Sequence, residues 1–404
     1  MNEQSHPAGN LRTEKRYVDD VAKQLLGPLL DPMRHSAWRL AGWDAEQGIS
    51  IYLEKDGRVL LVELEPRNDE QPCYACTARF NVCARRPFDF TSSLDAEDRR
   101  VVDSLVAMIT DREKLLPWPE RQPSSRRRAV RLLEVERVLM GEGRGHYYIN
   151  PYVGCTIGCP FCYVAGRADL SRRLEGLPRL PWGHFVDVKV NAAEVLREEV
   201  QRVPAGIVRL SPILTDPYQP VERKFRITRQ CLQVLQEAGF TAAVLTRAAL
   251  VTEDLELLKR FPTALVGFSI PSDDDRMRQL FEPGADPLPE RLRALAACRR
   301  AGLVTLAFIQ PMLPMNVERL VEMVAPLVDA VRIDRMYCLD EVTETYRGAG
   351  LEHATRPRFF RETEERLKTL FARRGVLVED IDDVKELLRR LRNRGGGQRT
   401  GSRR

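Results

Sequence analysis

Residues 148–170 read YINPYVGCTIGCPFCYVAGRADL, a stretch with cysteines at a Cys-x3-Cys-x2-Cys spacing. Cys155, Cys159 and Cys162 end a segment that begins with the run Tyr147–Val153, which we predict to be a strand from its aromatic and β-branched residues. Thiolates are the usual ligands of iron–sulfur clusters. In one compact loop, each of these thiolates can bind one iron of a cubane, and the remaining iron is then open to a substrate or a cofactor.

A structural zinc site is the alternative interpretation of this loop. Zinc usually takes four ligands, often arranged as Cys-x2-Cys pairs. No second pair follows nearby, and the only close histidine is His146. Gly154 and Gly158 supply the tight backbone turns that a loop around a cluster requires. We therefore predict that the loop holds a [4Fe–4S] cluster.

The chain around the loop alternates short β-branched runs with amphipathic helices. The predicted strands are Tyr147–Val153, Phe185–Val190, Gly206–Leu210, Thr241–Leu245, Ala264–Ile270, Val304–Ile309 and Ala330–Ile333. Such alternation with short connections predicts a parallel sheet flanked by helices. We expect the α/β fold class, with a full or partial parallel β/α barrel over residues 141–345 and its chemistry at the carboxyl ends of the strands.

The N-terminal residues 1–115 have a different pattern, which predicts a small α+β accessory domain. Asp56–Gly57 between two alternating apolar runs is a strong signal for a two-residue hairpin. The predicted elements are a helix from Tyr17 to Leu26, strands Gly48–Glu54 and Arg58–Leu64, a strand near Tyr74–Val82, and a helix capped by Ser93 or Asp95.

The connecting and C-terminal segments are polar and rich in arginine. Residues 116–140 include LPWPERQPSSRRR, whose Pro, Ser and Arg content predicts a linker. Residues 346–393 form a predicted helical extension with helices over Phe359–Arg374 and Asp380–Arg392, and residues 394–404 are a predicted flexible basic tail. The arginines in the linker and the tail are compatible with nucleic-acid binding and equally with a solvated surface.

The bulk composition is that of an ordinary globular protein. The 404 residues are 43% hydrophobic and 30% charged, with a formal net charge of +5. No run of about 18 apolar residues occurs, so we predict no transmembrane helix and no membrane partner. The N-terminus is polar and lacks the apolar region of a secretory signal, so we expect a cytoplasmic location.

The remaining cysteines are not obvious ligands. Cys73, Cys76 and Cys83 could hold an auxiliary cluster or a metal, but on a strand Cys73 and Cys76 point to opposite faces, and no fourth ligand is apparent. We therefore expect them to be packed or surface thiols. Cys231 and Cys298 lie in apolar helical stretches and are expected in the core. For Cys338 a packed thiol is favoured over a substrate-site thiol.

The cysteine loop resembles the signature of the radical S-adenosylmethionine (SAM) superfamily, and its context resembles the branch related to spore photoproduct lyase. The resemblance covers roughly residues 145–335. The motifs that carry it are Asn150-Pro151-Tyr152, Gly154-Cys155, Cys162-Tyr163, Val188-Lys189-Val190-Asn191-Ala192, Thr215-Asp216-Pro217-Tyr218-Gln219-Pro220 with Glu222, Leu245-Thr246-Arg247, Phe268-Ser269-Ile270 and Phe281-Glu282-Pro283.

The resemblance implies a barrel of the radical SAM type, a [4Fe–4S] cluster and SAM as cofactors, and an external electron donor such as flavodoxin or ferredoxin. Such enzymes cleave SAM reductively to start radical chemistry on a substrate. By motif, Tyr163 should lie near the adenine, Thr215 and Asp216 should contact the ribose or amine, and Arg247 and Ser269 should hold the carboxylate and ribose. Asp216 and Ser269 could instead be purely structural caps.

The chain departs from that branch at two positions. Relatives usually carry lysine where this chain has Arg247, which changes the geometry available to a carboxylate. Spore photoproduct lyases have a cysteine directly before the Ser/Thr-Asp pair as a hydrogen-atom donor, whereas this chain has Leu214. Leucine cannot donate a hydrogen atom as a thiol does, so we predict that this protein is not that repair enzyme.

Three functions follow as hypotheses. The favoured one is a radical SAM enzyme acting on a peptide, a protein or a small molecule, with the N-terminal domain as substrate adaptor. The first alternative is a radical SAM enzyme that modifies or repairs nucleic acid. The second alternative is a non-catalytic iron–sulfur binding module.

Overall fold

The structure is a computed structural model that describes residues 13–30, 37–46, 48–67, 74–87, 93–116, 129–210, 215–378 and 383–398. The strands are β1 Thr13–Lys15, β2 Arg39–Asp44, β3 Ile49–Lys55, β4 Arg58–Pro66, β5 Ala75–Cys76, β6 Phe80–Arg85, β7 Ala129–Glu134, β8 Met140–Gly143, β9 His146–Tyr148, β10 Tyr152–Val153, β11 Phe185–Lys189, β12 Ile207–Leu210, β13 Thr241–Thr246, β14 Ala264–Ser269, β15 Val304–Ile309, β16 Ala330–Ile333 and β17 Leu377–Val378.

The α-helices alternate with the later strands. They are α1 Tyr17–Leu30, α2 Ala96–Glu113, α3 Val164–Leu174, α4 Ala192–Glu199, α5 Glu222–Phe225, α6 Ile227–Glu237, α7 Leu255–Leu258, α8 Asp275–Phe281, α9 Leu288–Arg300, α10 Val317–Val324, α11 Thr343–Gly348, α12 Pro357–Arg373 and α13 Val384–Gln398. None of the helices in the described ranges has the length and apolarity needed to cross a membrane.

The N-terminal unit is an antiparallel sheet in the order β2-β3-β4-β6-β5, packed against α1 and α2. The predicted hairpin is present, with Asp56 and Gly57 at φ values of 49° and 74°, as the turn between two twisted strands requires. Asp95 caps α2 by accepting hydrogen bonds from two backbone N–H groups of its first turn. The single strand predicted near Tyr74–Val82 is wrong, because a turn divides it into β5 and β6, which pair with each other.

The main sheet runs in the order β17-β16-β15-β14-β13-β12-β9-β8. All neighbours from β17 to β9 are parallel, and only β8 pairs antiparallel. β14 is buried along its whole length, as a parallel strand covered by helices on both faces should be. Because β17 and β8 are the edges of this order, the sheet corresponds to the partial form of the predicted β/α barrel.

Two predicted strands take other positions. Tyr147–Val153 is divided into β9 and β10, with Pro151 between them, a residue that cannot donate a hydrogen bond to a strand partner. The predicted strand Phe185–Val190 is present as β11, but it joins a separate sheet in the order β1-β7-β11-β10. Its parallel partner β7 lies within the predicted linker 116–140, so part of that segment belongs to the fold.

The C-terminal helices differ from prediction at their ends. The helix predicted over Phe359–Arg374 is α12, and α13 continues to Gln398, beyond the predicted start of the flexible tail at residue 394. Val384, Leu387 and Leu388 of α13 pack against residues at or near the amino ends of the parallel strands, among them Ile207 and Ala330. The basic helix therefore closes the end of the sheet opposite to the carboxyl ends of its strands.

Candidate functional site

The cysteine loop lies between β10 and α3 and is buried against the carboxyl ends of the main-sheet strands. Cys155 is 8% exposed and Cys159 is 6% exposed, while Cys162 is half-buried. Burial raises the pKa of Cys155 to about 12 and that of Cys162 to about 11, and it also raises the pKa of Cys159. Binding of iron would replace the thiol protons, because metal ligation requires thiolates.

Backbone N–H groups face the cysteine sulfur atoms. Those of Ile157 and Asp216 donate hydrogen bonds toward Cys155, and that of Val164 donates toward Cys162. Such donors stabilise a ligating thiolate, and they are among the features that set the reduction potential of iron–sulfur clusters. The donor set therefore fits a cluster.

No three Cys, His, Asp or Glu side chains within the described ranges converge on a point where they could hold one metal ion, and this includes the cysteine loop. A cubane does not require such convergence, since each thiolate binds a different iron. Three thiols on one loop, two of them with backbone N–H groups directed at the sulfur atom, are compatible with such a cluster.

A buried glutamine side chain connects the cysteine loop to the segment after β12. The Gln219 Oε1 atom accepts hydrogen bonds from the Thr156 backbone N–H at 2.8 Å and from the Thr156 hydroxyl at 3.2 Å. The Gln219 Nε2 group donates to the Gly154 carbonyl at 3.0 Å and to the Thr215 hydroxyl oxygen at 2.7 Å. The Thr215 hydroxyl itself donates to the Gly154 carbonyl at 2.7 Å. The motif comparison included Gln219, but the sequence analysis assigned it no role.

Asp216 links the ends of neighbouring strands. One carboxylate oxygen accepts hydrogen bonds from the Tyr218 N–H at 2.9 Å and the Thr246 hydroxyl at 2.6 Å, and the other accepts one from the Arg247 N–H at 2.7 Å. Burial raises the pKa of this carboxyl group. A carboxylate has about four acceptor positions, so these three hydrogen bonds leave about one position for SAM. The structural role that the sequence left open is present, and the predicted contact with SAM stays a prediction.

Arg247 belongs to a buried chain of charges beside the loop. Its Nε donates to Glu282 at 2.6 Å, and the other oxygen of Glu282 accepts a hydrogen bond from Arg291 at 2.7 Å. Glu282 is 0% exposed; burial acts to raise its pKa, but the Arg291 and Arg247 guanidinium groups hold that pKa below its usual range. Burial raises the pKa of the Cys159 thiol, and the Arg247 charge acts in the opposite direction. Arg291, which the sequence analysis missed, also donates to the Ser269 carbonyl at 2.8 Å.

The five predicted SAM-contacting residues lie on the expected elements. Thr215 and Asp216 follow β12, Arg247 follows β13, and Ser269 ends β14, so their backbones meet at one edge of the sheet. Tyr163 directly follows the last cysteine and is 50% exposed. Leu214, on which the argument against lesion repair depends, lies outside the described residues.

Two close backbone contacts shape the loop. The Gly284 N–H donates to the Ile157 carbonyl at 2.9 Å, and a Cβ atom on Gly284 would lie 2.7 Å from the Ile157 Cα atom. On another side, a Cβ atom on Gly183 would lie 2.9 Å from the Gly158 Cα atom. Only glycine permits approaches this close. The sequence shows a glycine directly after Glu282-Pro283, but no sequence pattern indicated that this glycine contacts the cysteine loop.

Other residues of the resemblance serve the fold elsewhere. Lys189 forms an ion pair with Glu46 of the N-terminal unit, and both side chains are buried. Asn191 donates to and accepts from the backbone of Val135, each at 2.9 Å. These contacts attach β11 and the residues after it to neighbouring segments.

The other cysteines are placed as follows. Cys76 is exposed on β5 and Cys83 half-buried on β6, where they pair in register with Asn81 and Glu63, respectively. Cys73 lies outside the described residues. As predicted, the remaining thiols in helices α6 and α9, Cys231 and Cys298, are fully buried. Cys338 follows β16 and is half-buried.

Comparisons with known proteins find similarity over part of the chain. The family model of the radical SAM superfamily matches residues 149–327. An uncharacterized protein of Methanocaldococcus jannaschii is 28% identical over 168 residues, which are 42% of this chain and 61% of that protein. The radical SAM Nalpha-GlyT isomerase of Pseudomonas phage M6 is 30% identical over 166 residues, which are 41% of this chain and 33% of the isomerase. The chain thus spans less than two thirds of the length of these relatives.

Solved structures that are similar to this chain include a variant of spore photoproduct lyase. The identity is 13% and the TM-score 0.47, over 62% of this chain and 81% of the lyase chain. Another is Streptococcus suis SuiB bound to its precursor peptide SuiA, with 14% identity and a TM-score of 0.39 over 72% of this chain and 56% of that one.

The segment matched by the family model contains the cysteine loop, the strands from β11 to β15 and the charged residues beside the loop. The parallel sheet has the α/β architecture expected of such a domain. Residues 149–327 therefore match a domain of the radical SAM superfamily.

Proposed function

We propose that this chain is a radical SAM enzyme whose [4Fe–4S] cluster is held by Cys155, Cys159 and Cys162. One observation carries the proposal. The three cysteines occupy one loop, half-buried to buried, at the carboxyl ends of the parallel strands, and backbone N–H groups are directed at the sulfur atoms of Cys155 and Cys162. When bound, the cluster and SAM supply the electron transfer and the radical chemistry, and the protein residues bind, orient and exclude water.

The same proposal assigns SAM to the sheet edge beside the loop. Arg247 uses its Nε for Glu282, and the structure describes no hydrogen bond from its two Nη groups. A planar guanidinium with free Nη groups suits a carboxylate, so Arg247 is our candidate for the SAM carboxylate. Tyr163 is the candidate for the adenine because its ring is exposed, and Thr215, Asp216 and Ser269 remain candidates for the ribose and amine.

The favoured substrate is a peptide, a protein or a small molecule, with the N-terminal unit of residues 1–115 as an adaptor. The position of the basic C-terminal helix supports this preference over nucleic acid. The helix packs at the amino ends of the strands, away from the cysteine loop, and its Arg389 and Arg390 are paired with Glu386. An external electron donor such as flavodoxin or ferredoxin and a cytoplasmic location complete the proposal.

The proposal is tested by anaerobic reconstitution with iron and sulfide. The parent protein should hold about four irons and cleave SAM when reduced. The triple variant Cys155→Ala, Cys159→Ala and Cys162→Ala should lose both the iron and the cleavage. Full iron content in that variant would place the cluster elsewhere.

A matched control uses the other cysteine group. The double variant Cys76→Ser and Cys83→Ser should keep the iron content of the parent, since these two thiols lie on the N-terminal sheet. A loss of about four irons in this control would reveal an auxiliary cluster.

Two further measurements distinguish the alternative functions. SAM cleavage by the reduced protein without any substrate would eliminate the non-catalytic alternative. Polynucleotide binding that falls steeply with salt would favour nucleic acid as the substrate, because released counterions drive such binding.

A further inference from the structure

The Gln219 side chain forms hydrogen bonds with the peptide groups on both sides of Cys155. The Gly154 carbonyl belongs to the peptide plane that precedes Cys155, and the Thr156 N–H belongs to the plane that follows it. Because each peptide group is planar, the two backbone torsions of Cys155 are the only rotations between these planes. A single rigid amide that holds both planes therefore restrains both torsions and the direction of the Cys155 Cα–Cβ bond.

Glutamine has the chemistry that this position requires. The Thr156 N–H needs an acceptor, while the Gly154 carbonyl needs a donor, and a side-chain amide offers both on one planar group. An ionised carboxylate would offer only acceptors, and a protonated one would have a single O–H for the two oxygens that the Nε2 group serves. A methionine of similar size would offer no donor. Gln219 is 0% exposed, so water does not replace a bond that a substitution removes.

The surroundings of Gln219 couple the backbone of Cys155 to its sulfur atom. The Gln219 N–H donates to the Asp216 carbonyl at 3.2 Å, and the Asp216 N–H in turn donates toward the Cys155 sulfur. The turn over residues 215–219 therefore holds both the backbone and the thiol of the same cysteine. Hydrogen bonds to ligand sulfurs are one of the means by which proteins set cluster potentials.

We propose that Gln219 is a positioning residue that orients Cys155 for cluster binding and thereby sets the rate of iron loss and the reduction potential of the cluster. This inference rests on the proposed function, since it takes Cys155 as a cluster ligand. It adds a residue that contacts the loop backbone rather than the cluster.

The test compares Gln219→Met and Gln219→Glu with the parent after anaerobic reconstitution. Iron release to a chelator should be roughly tenfold faster in both variants, because each leaves buried polar groups of the loop without a partner. The midpoint potential of the cluster should become more negative in both, because a displaced Cys155 loses N–H donors to its sulfur. Since both replacements nearly conserve volume, these effects separate hydrogen bonding from packing.

The matched control is Gln230→Met, at an exposed glutamine of α6 whose Nε2 donates to the Phe225 carbonyl. Its release rate and potential should equal those of the parent. Equal values in Gln219→Met, Gln219→Glu and Gln230→Met would overturn the inference, while the cluster assignment would stand as long as the triple cysteine variant lost its iron. Retention of iron in that triple variant would instead refute the proposed function.

A second variant covers the case in which the iron-free Gln219→Met and Gln219→Glu proteins do not fold, as judged by circular dichroism. Thr215→Val removes the hydroxyl that donates to the Gly154 carbonyl and accepts from Gln219. Its iron should be released several-fold faster than that of the parent. A release rate equal to the parent's would overturn the inference by this route as well.

Discussion

Replacing Gly284 by alanine should force a methyl group into the backbone of the cysteine loop. The added Cβ atom would lie 2.7 Å from the Ile157 Cα atom and 2.8 Å from the carbonyl oxygens of Ile157 and Thr156, where ordinary contact begins at 3.4 Å. All of these neighbours are backbone atoms, so no flexible side chain can move aside. The loop and the Gly284 segment must separate by at least 0.7 Å, the difference between 3.4 and 2.7 Å.

The separation has two measurable consequences. Overpacking of a close contact costs about 1–3 kcal/mol, and the hydrogen bond from the Gly284 N–H to the Ile157 carbonyl is stretched at the same time. Thermal unfolding of the iron-free protein should therefore shift down by several degrees. Because Ile157 lies between Cys155 and Cys159, reconstituted iron content should also fall, and chelator release should accelerate.

The control is Gly348→Ala, in which the new Cβ atom meets nothing within 4 Å at the end of α11. That variant should match the parent in unfolding and iron content. If Gly284→Ala also matches the parent in both measurements, the contact between this glycine and the loop does not constrain the cluster site, and the reasoning fails.

Asp216→Ala should weaken SAM binding in calorimetric titration by roughly 30- to 150-fold, since an unmade charge-assisted hydrogen bond at a buried site costs about 2–3 kcal/mol; unchanged affinity would contradict the motif transfer. Arg291→Met should destabilise the protein by about 3–5 kcal/mol in chemical denaturation, because Glu282 loses one partner of a buried ion pair. A loss below about 1 kcal/mol would show that Arg247 alone compensates this carboxylate. Burial lowers the pKa of His146, so the unfolded chain binds a proton at a higher pH than the folded chain, and stability is lost as the pH falls below the ordinary histidine pKa. The variant His146→Gln should therefore lose less stability than the parent between about pH 7 and pH 4, and equal losses would refute this linkage.

The sequence predicted best those features that depend on residues close together along the chain. The hairpin at Asp56–Gly57 and the Asp95 cap of α2 appear as predicted, because turn and cap chemistry act within a few residues. The strands and helices of the parallel sheet also appear close to their predicted bounds. The strand predicted over Tyr147–Val153 failed at Pro151, which was visible in the sequence but not weighed as an interruption.

Strand partners were beyond the reach of the sequence pattern. Phe185–Lys189 has the composition of a buried strand and is one, but its partners are β7, parallel, and β10, antiparallel, rather than strands of the main sheet. Hydrophobic patterning indicates that a strand is buried without indicating which neighbour buries it. Only the packed structure therefore shows that part of the predicted linker belongs to the fold.

By sequence alone, the cysteine loop and the motifs after it carry the resemblance to the radical SAM superfamily, because a Cys-x3-Cys-x2-Cys spacing places three thiols on one loop through covalent connectivity alone. The tertiary structure decided what surrounds that loop. Gln219 reaches Thr156 across 63 residues, and Gly284 meets Ile157 only because the segment after α8 packs against the cysteine loop. Contacts of this kind depend on the summed packing of the whole sheet and have no local pattern, so only the folded chain reveals them.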